Sequence, residues 1–311
     1  MILREMPAIW DDGFRPWFYS RWGRENCIIG ARTRAAEYPL YEQRLSVKAA
    51  WGGREEYFID GRRLAVDDET YLVINDGRTY ASRVSSSQSV TSFSIFFRPG
   101  MAADVARVLR STAAALLDAP AAGQLAPPEI SEHLRYHDRR VTPLLRFILK
   151  HVQMGCVDEE WYEEQLQLLL ERLLELPASD THATQQIAAL KATTRRELWR
   201  RASLGADFIH SHYAENVTLA DVARAAMMSP YHCLRVFKVA YGRTPHDFLN
   251  ERRAQTALRL LRCTRSSVDE IAQQVGLQNR STLFRQLKRR FGVTARALRR
   301  AESPRIPSPA L

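Results

Sequence analysis

The stretch "LRVFKVAYG", residues 234–242, decides the fold, because the chain repeats its pattern fifty residues later as "FRQLKRRFG", residues 284–292. Both copies have apolar residues at the first and fourth positions, arginine at the second and lysine at the fifth. Both close with an aromatic residue followed by a glycine, Gly242 or Gly292. The repeat predicts that one basic, amphipathic helix occurs twice in the same structural setting.

A shorter helix is predicted before each copy, over "VTLADVARAAM" (217–227) and "SSVDEIAQQVG" (266–276). Apolar residues in both follow the i, i+3, i+4, i+7 spacing of one helix face. Thr218 and Ser267 begin them, each with an acidic residue three positions on, which is the pattern of a capping box. The tight connections "MMSP" and "GLQN" follow. The sequence therefore predicts two helix-turn-helix motifs, at about 218–242 and 267–292.

The second helix of each motif has a polar and basic outer face. Its outward residues are predicted to be Tyr231, His232, Arg235 and Lys238 in the first motif, and Arg280, Ser281, Arg285 and Lys288 in the second. A helix of this width fits the DNA major groove, where an arginine can pair with the two acceptors of guanine. Lysines and extra arginines, here Lys238, Lys288 and Arg289, suit phosphates.

The segment "TPHDFLNERRAQTALRLLRCT" (244–264) joins the two motifs and is predicted to be one helix, with Thr244 as its cap and Pro245 at its start. About 18 helical residues span roughly 27 Å. Such a rod can hold two recognition helices close to one DNA repeat apart, about 34 Å. One chain is therefore expected to enter two successive major-groove segments.

Charge divides the chain in the same place. Residues 195–300 contain 21 Lys and Arg against 8 Asp and Glu, a net +13, so the rest of the +10 chain sums to −3. A basic region beside a mildly acidic remainder indicates that one domain faces a polyanion, although a solvated cationic surface is the alternative.

Several classes of protein are disfavoured by the sequence. No apolar run is long enough for a membrane span, and the N-terminus lacks the apolar core of a secretory signal, so we expect a cytoplasmic protein with four reduced cysteines. The first histidine is His133, after the strand-rich region, which argues against a histidine-built metal site there. With no GxSxG, P-loop or dinucleotide glycine pattern, we predict no enzyme activity, no catalytic residue, no metal and no cofactor.

The first hundred residues predict a small antiparallel barrel or sandwich. Strand-like runs at 44–51, 55–60, 70–75 and 89–97 alternate with the turn sequences at 60–63, 66–69 and 75–78. Helices are predicted over 101–118, 141–153 and 158–176, before a linker-like segment at 177–186 and a loose proline-rich tail. Aromatic residues on the strands could line an effector pocket or could simply be core: Trp51, Tyr57 and Tyr71.

A leucine stripe in the last of these helices has two interpretations. It either packs on its own barrel or forms a dimer seam between two copies of the chain, and the residues concerned are Leu166, Leu169, Leu170, Leu173 and Leu176. A short apolar stripe does not separate the two, so a homodimer is a hypothesis.

The segment from "SPYHCLRVFKVAYG" to "TLFRQLKRRFG" closely resembles the double helix-turn-helix domain of AraC/XylS-type bacterial transcription regulators, over roughly residues 200–300. It departs from the family pattern at Cys233-Leu234, Leu277 and Ala295, all structurally mild changes. The resemblance implies binding to double-stranded promoter DNA, often with contact to RNA polymerase. It also implies base contacts by Tyr231, His232, Arg235, Arg280, Ser281 and Arg285.

The strand-rich part is similar in layout to the family's cupin-like effector domains. The expected fold is therefore α+β with two domains: a cupin-like barrel with helices at 1–176, a linker at 177–195 and an all-α DNA-binding domain at 196–302. We expect a sequence-specific transcription regulator, associated with the nucleoid through DNA and controlled by a small molecule in the barrel; the sequence leaves open whether it is an activator or a repressor. An architectural DNA binder without an effector is the second hypothesis.

Overall fold

The computed structural model describes residues 1–110, 128–176, 192–264 and 266–292 of the 311-residue chain. The chain divides into two compact units, Met1–Thr181 and His182–Leu311. The predicted segment at 177–186 and the predicted tail lie outside the described residues, as does the second half of the helix predicted at 101–118.

The N-terminal unit is a β-barrel followed by helices. Its elements in chain order are β1 (Ile2–Leu3), α1 (Phe14–Arg21), β2 (Cys27–Gln43), β3 (Ser46–Trp51), β4 (Arg54–Ile59), β5 (Arg62–Asp67), β6 (Thr70–Ile74), β7 (Arg78–Phe96), α2 (Met101–Arg110), β8 (Leu134–Tyr136), α3 (Thr142–Met154) and α4 (Glu159–Glu175). Each of the four predicted strand runs overlaps one of β3, β4, β6 and β7, and extends one or two residues beyond it. The sequence prediction missed β2, β5, α1 and the first half of β7.

The sheet closes because the long strand β7 has two partners on one edge. Its first half pairs with β4 and its second half with β3, both antiparallel. From β3 the pairing continues through β6 and β5 back to β4, which completes a five-stranded ring. The strand β2 lies along the other edge of β7, with β1 parallel to it, and β8 pairs with β6.

The three turns from β4 to β7 lie where the sequence predicts them, whereas the turn between β3 and β4, with Gly52 at φ 74°, was not predicted. Asp60 and Gly61 have φ values of 50° and 71° between β4 and β5, the left-handed pair that a tight hairpin needs. Gly77, with φ 74°, directly precedes β7 and follows Asp76 in another "DG" pair. Because side chains alternate along each strand, the barrel has one face toward its interior and one toward the helices.

The helices cover one face of the sheet and form the main core of this unit. Val47, Phe93 and Ile95 from the sheet pack there with Ile148 of α3 and the leucines of α4. Within one chain Leu166, Leu169, Leu170 and Leu173 are all buried, between 0% and 2% exposed, and Leu176 packs partly against the same core. The dimer-seam interpretation of these leucines is therefore wrong, because the stripe is occupied by the chain's own barrel.

The C-terminal unit is helical over its described residues. Its elements are α5 (Ala192–His212), α6 (Leu219–Ala225), α7 (Pro230–Tyr241), α8 (Pro245–Cys263), α9 (Val268–Gln274) and α10 (Arg280–Phe291). One apolar core joins all of these helices, with Ile209, Phe237, Leu261, Ile271 and Leu287 among its buried residues. The predicted order of short helix, recognition helix, long connecting helix, short helix and recognition helix is confirmed, as is the α+β fold with an N-terminal barrel.

Candidate functional site: a nucleic-acid interface and a barrel cavity

The two recognition helices, α7 and α10, start and end in the same way. Ser229 caps α7 and Asn279 caps α10, each accepting a hydrogen bond from the backbone N–H three residues on. Both end at a glycine in the left-handed region, with φ 69° at Gly242 and 66° at Gly292. Each helix is 12 residues long and starts directly after its cap. Equivalent positions of the two helices therefore lie in the same turns.

The outer face of α7 is open. Tyr231 is 74% exposed, Arg235 and Lys238 are exposed, and His232 is half-buried. On the opposite face, Cys233, Val236 and Phe237 are buried. The structure thus brings the three residues predicted for base contacts onto one surface, with Lys238 one turn beyond Arg235.

The outer face of α10 has the same layout with more charge. Arg280, Ser281, Arg285, Lys288 and Arg289 are all exposed, and Leu283 and Leu287 are buried beneath them. Arg285 donates a hydrogen bond from Nη2 to Oγ1 of Thr282, at 3.2 Å. Arg280 lies 3.6 Å from Asp269 of α9 in an exposed ion pair. Such an exposed pair is weak, so it leaves Arg280 accessible to DNA.

Polar contacts fix the recognition helix α10, and the segment that follows α5, on the long helix α8. Gln286 of α10 donates to Oδ1 of Asn250 at 2.9 Å, and Arg290 donates to the Asp247 carbonyl at 3.1 Å. Arg253 of α8 donates to the carbonyls of Tyr213 and Glu215, at 2.8 and 2.7 Å. The helix α8 is 19 residues long, about 28 Å at 1.5 Å per residue, and it spaces the two motifs rigidly.

This arrangement can place two basic helices in two grooves of one duplex. Positive side chains on both outer faces attract phosphates without reading sequence. The polar and aromatic side chains near the helix N-termini are of the types that reach base edges. The C-terminal unit is therefore a DNA-binding domain of the double helix-turn-helix class.

The barrel interior holds a second candidate site, a small cavity of about 40 Å³. Inward-facing residues of β2, β3, β4 and β7 line it, and Phe18 and Trp22 from the α1 region close one side. The polar part of its lining comprises Gln43, Lys48, Glu55, Tyr57, Tyr80, Ser82, Ser92 and Ser94. Its mixed aromatic and polar lining is of the kind found in sites for small organic ligands, but a volume of about 40 Å³ holds only a few water molecules.

Lys48 and Glu55 are the charged groups of this cavity, 1% and 3% exposed. The Lys48 Nζ atom lies 3.4 Å from the ring centroid of Phe96 and 5.4 Å from that of Tyr80. Burial lowers the pKa of Lys48, and the nearby Glu55 carboxylate opposes this change. Burial raises the pKa of Glu55, while the neighbouring Ser92, Tyr57 and Lys48 oppose it. Both groups are therefore displaced toward their neutral forms.

The polar side chains around the cavity are incompletely satisfied by well-formed hydrogen bonds. The atoms that make none of good geometry within the described part of the chain are Gln43 Oε1, Glu55 Oε2, Tyr57 Oη and Tyr80 Oη. Each of these side chains nevertheless has polar neighbours, since Tyr41 lies beside Gln43, Tyr57 and Ser92 lie beside Glu55, and Ser46 lies beside Tyr80. Buried polar groups gathered around one cavity indicate a place for water or a polar ligand.

The three aromatic residues predicted for an effector pocket do not lie together. Tyr57 lines the cavity. Trp51 and Tyr71 stack instead on His137, with ring centroids 5.8 and 5.9 Å from it, and Tyr71 belongs to the core beneath the helices. The hydroxyl of Tyr71 donates to Asp138 at 3.1 Å. Strand alternation explains the split, because Tyr57 points into the barrel and the other two lie on its helix-covered side.

Sequence reasoning missed Lys48 and Glu55. A lysine in the middle of the apolar run "SVKAAW" is the signal that could have found one of them, since a charge at an inward strand position requires an explanation.

Among the described residues no group of three or more His, Cys, Asp or Glu side chains is arranged to hold a metal ion. Within the same residues no helix combines the length and apolarity that a membrane crossing requires.

Comparison with known proteins agrees with the geometry of the C-terminal unit. A protein-family model described as a helix-turn-helix domain matches residues 222–301. The chain is 32% identical over 97 residues to YdeC of Bacillus subtilis, an uncharacterized HTH-type transcriptional regulator, over 31% of this chain and 33% of the relative. It is 29% identical over 154 residues to the HTH-type transcriptional regulator ExsA of Pseudomonas aeruginosa, over 49% of this chain and 53% of the relative.

These matches leave much of each relative uncovered, since the chain spans about one third to one half of their lengths. Among solved structures, the C-terminal domain of the response regulator AraT from Geobacillus stearothermophilus is 28% identical, with 33% of this chain and 84% of that chain covered and a TM-score of 0.31. The DNA-binding domain of AdpA, in complex with a target DNA, is also 28% identical, with 35% and 97% covered and a TM-score of 0.32.

Residues 222–301 of this unit are a helix-turn-helix domain similar to those of HTH-type transcriptional regulators. The resemblance predicted from the repeated motifs is confirmed by these matches.

Proposed function

We propose that the protein is a sequence-specific DNA-binding transcription regulator, controlled by a small molecule bound in its N-terminal barrel. The observation that carries the first part is the pair of capped motifs, which present two exposed basic helix faces from one rigid helix. In this proposal Tyr231, His232 and Arg235 read one groove segment, and Arg280, Ser281 and Arg285 read the next. The phosphates are bound by Lys238, Lys288 and Arg289.

The competing function is that of an architectural protein which coats DNA without reading it. Mixed tyrosine, histidine, serine and arginine on the recognition faces favour base reading, because phosphate binding needs only positive charge. A competition experiment separates the two: duplexes selected from a random pool by the full chain are challenged with unselected duplex. Regulatory binding predicts a preference of about a thousandfold or more at physiological salt. Equal affinity for both would support the architectural alternative.

The effector part of the proposal rests on the buried polar side chains gathered around the cavity. Lys48, Tyr57 and Tyr80 offer hydrogen-bond donors to a ligand, and Gln43 offers an acceptor. The walls formed by Trp22, Phe18 and Phe96 suit an apolar or planar body. A compact molecule with an acceptor-rich polar end fits this chemistry. Its binding changes DNA occupancy or polymerase contact.

The double variant Lys48→Met/Glu55→Gln tests this role while keeping the side-chain volumes close to the original. Replacing two buried ionisable groups raises or leaves unchanged the free energy of unfolding. The variant is therefore expected to fold and bind operator DNA, yet lose the thermal shift and DNA response that an active compound from a metabolite screen produces in the wild type. Lys150→Met, an exposed lysine on α3, is the control. An unaltered ligand response in the double variant would contradict the site.

The homodimer, the contact with RNA polymerase and the cytoplasmic location are further parts of the proposal. With the leucines of α4 buried in their own core, a dimer must use another surface. Analytical ultracentrifugation of the full chain over a range of concentrations tests the dimer. Transcription from a selected promoter in vitro with purified polymerase, with and without the protein, distinguishes activation from repression.

A further inference from the structure

Phe284 is an exposed aromatic residue on the recognition helix α10. Its side chain is 40% exposed although it stands next to the buried Leu283. The residues around it on the outer surface are Ser281 one turn before, Arg285 beside it and Lys288 one turn after, all exposed. An apolar ring is thus set among the residues proposed to contact DNA.

The first recognition helix repeats this arrangement. Leu234 stands immediately before Arg235, as Phe284 stands before Arg285, and Leu234 is half-exposed. Each helix therefore carries an apolar side chain followed by an outward arginine, and a lysine three residues after that. Scattered apolar residues on a surface are ordinary, but the same position in both recognition helices is apolar and accessible.

The major groove offers one apolar group to such a side chain. Thymine carries a C5-methyl group there, which cytosine lacks, and apolar side chains recognise it by contact. Arginine recognises the N7 and O6 acceptors of guanine in the same groove. Adjacent side chains on one helix reach neighbouring base pairs, so an apolar residue beside an arginine suits a thymine near a guanine.

We propose that Phe284 determines specificity by packing on the C5-methyl group of a thymine close to the guanine bound by Arg285, and that Leu234 does the same beside Arg235. This inference rests on the proposed DNA-binding function and adds to it the recognition of one thymine in each groove segment. The arginines supply the hydrogen bonds, and the two apolar side chains distinguish thymine from cytosine and uracil.

The test replaces single thymines with deoxyuridine, which removes only the methyl group and leaves base pairing unchanged. The full-length protein first selects its preferred duplex from a randomised pool. Each thymine of that duplex is then replaced in turn and the affinity measured by fluorescence anisotropy. We expect a loss of about three- to fivefold at one thymine in each groove segment, which is the effect of one lost methyl contact.

Variants assign each effect to its residue. In Phe284→Ala the penalty for deoxyuridine disappears in the second segment and persists in the first, and Leu234→Ala gives the reverse. Phe284→Leu retains part of the discrimination because an apolar side chain remains. Arg285→Ala weakens binding yet preserves the thymine preference. Circular dichroism melting confirms that each variant is folded.

The outcomes separate this inference from the function on which it rests. If no duplex is enriched by the selection, the proposed sequence-specific function fails, and the inference fails with it. If a duplex is enriched but lacks thymine in the contacted segments, or if its deoxyuridine penalties are the same in wild type and Phe284→Ala, only the inference is overturned. Rescue by 5-methylcytosine in place of cytosine at the same position would support it further.

Discussion

The two helix-turn-helix motifs share their caps and their helix lengths but differ at the turn. Both first helices are seven residues long and both begin with a complete capping box. In the first motif the turn places Met227 in the left-handed region at φ 52°, and in the second Gly276 takes that role at φ 74°. The second turn is also one residue longer before its cap, Asn279 instead of Ser229. Both turns thus contain a residue in the left-handed region, but one motif uses a methionine there and the other a glycine.

The difference shows how each motif maintains its turn. A methionine with positive φ is strained, and Arg201 of α5 supports it by donating to the Met227 carbonyl at 3.1 Å. At Gly276 a Cβ atom would lie 2.5 Å from the Ala214 carbonyl oxygen, so this site admits only glycine. The first turn depends on a side-chain contact, and the second depends on the absence of a side chain.

The motifs also differ in charge. The helix α7 carries one arginine and one lysine, whereas α10 carries four arginines and one lysine. Arg290 makes hydrogen bonds within the unit, since it donates to Glu251 and to the Asp247 carbonyl. The first motif therefore suits base reading by polar and aromatic groups, and the second adds stronger attraction to the phosphates.

The largest expected effect is at the turns. Gly276→Ala combines a positive φ with a steric clash and should lower the free energy of unfolding of the C-terminal unit by about 3 kcal/mol. Met227→Gly relieves strain at the cost of chain entropy and should change it by less than about 1 kcal/mol. Urea denaturation of the full chain followed by circular dichroism measures both. Equal effects of the two variants would show that the turns are equivalent after all.

The next effect is on recognition. Arg235→Ala and Arg285→Ala should each lower binding free energy by about 1–3 kcal/mol and relax the preference at one base position, each in its own groove segment. Binding to a set of single-base operator variants measures the change. If either variant weakened binding to every variant sequence alike, that arginine would be a phosphate contact.

The sequence was sufficient to predict these motifs because their information is local. Caps, apolar spacing and closing glycines all lie within 26 residues of one another, and the repetition confirms each of them. The barrel strands with clear turn sequences, such as β4 and β6, were predicted for the same reason. The predictable part of the site is the exposed polar face of α7 and α10, since it is fixed by helix periodicity.

The features that sequence reasoning missed depend on contacts distant in the chain. The strand β2 contains Pro39 and many exposed charged residues, and it is held as a strand by pairing with β7, whose partner residues lie 35 to 69 positions later. The grouping of Lys48, Glu55 and Tyr80 arises only when the five strands close into a ring that brings β3, β4 and β7 together. Whether the leucines of α4 faced their own barrel or a second chain was likewise undetermined until the core was assembled.

A smaller effect is expected at the capping boxes. Thr218→Ala and Ser267→Ala each remove a side-chain acceptor for the N3 backbone N–H and should cost about 1 kcal/mol of stability. Because both boxes are complete, the two costs should agree closely in denaturation experiments. A cost confined to one motif would mean that only one short helix depends on its cap.

The smallest effect is electrostatic. Lys238→Ala and Lys288→Ala should weaken binding to all sequences about equally, and each should reduce the salt-dependence slope of log K by about 1. Titrations at several salt concentrations measure the slope, with Lys150→Ala in the barrel unit as the unaffected control. A change in sequence preference in either variant would show that this lysine contacts bases and not phosphates.

The central claim is that the two recognition helices of one chain read successive major-groove segments on one face of a duplex. Guanine methylation protection on a selected operator tests it most directly, because methylation occurs at N7 in the major groove. We predict two protected patches about 10 base pairs apart, with Arg235→Ala removing one and Arg285→Ala the other. A single patch, or two patches on opposite faces of the duplex, would contradict the account.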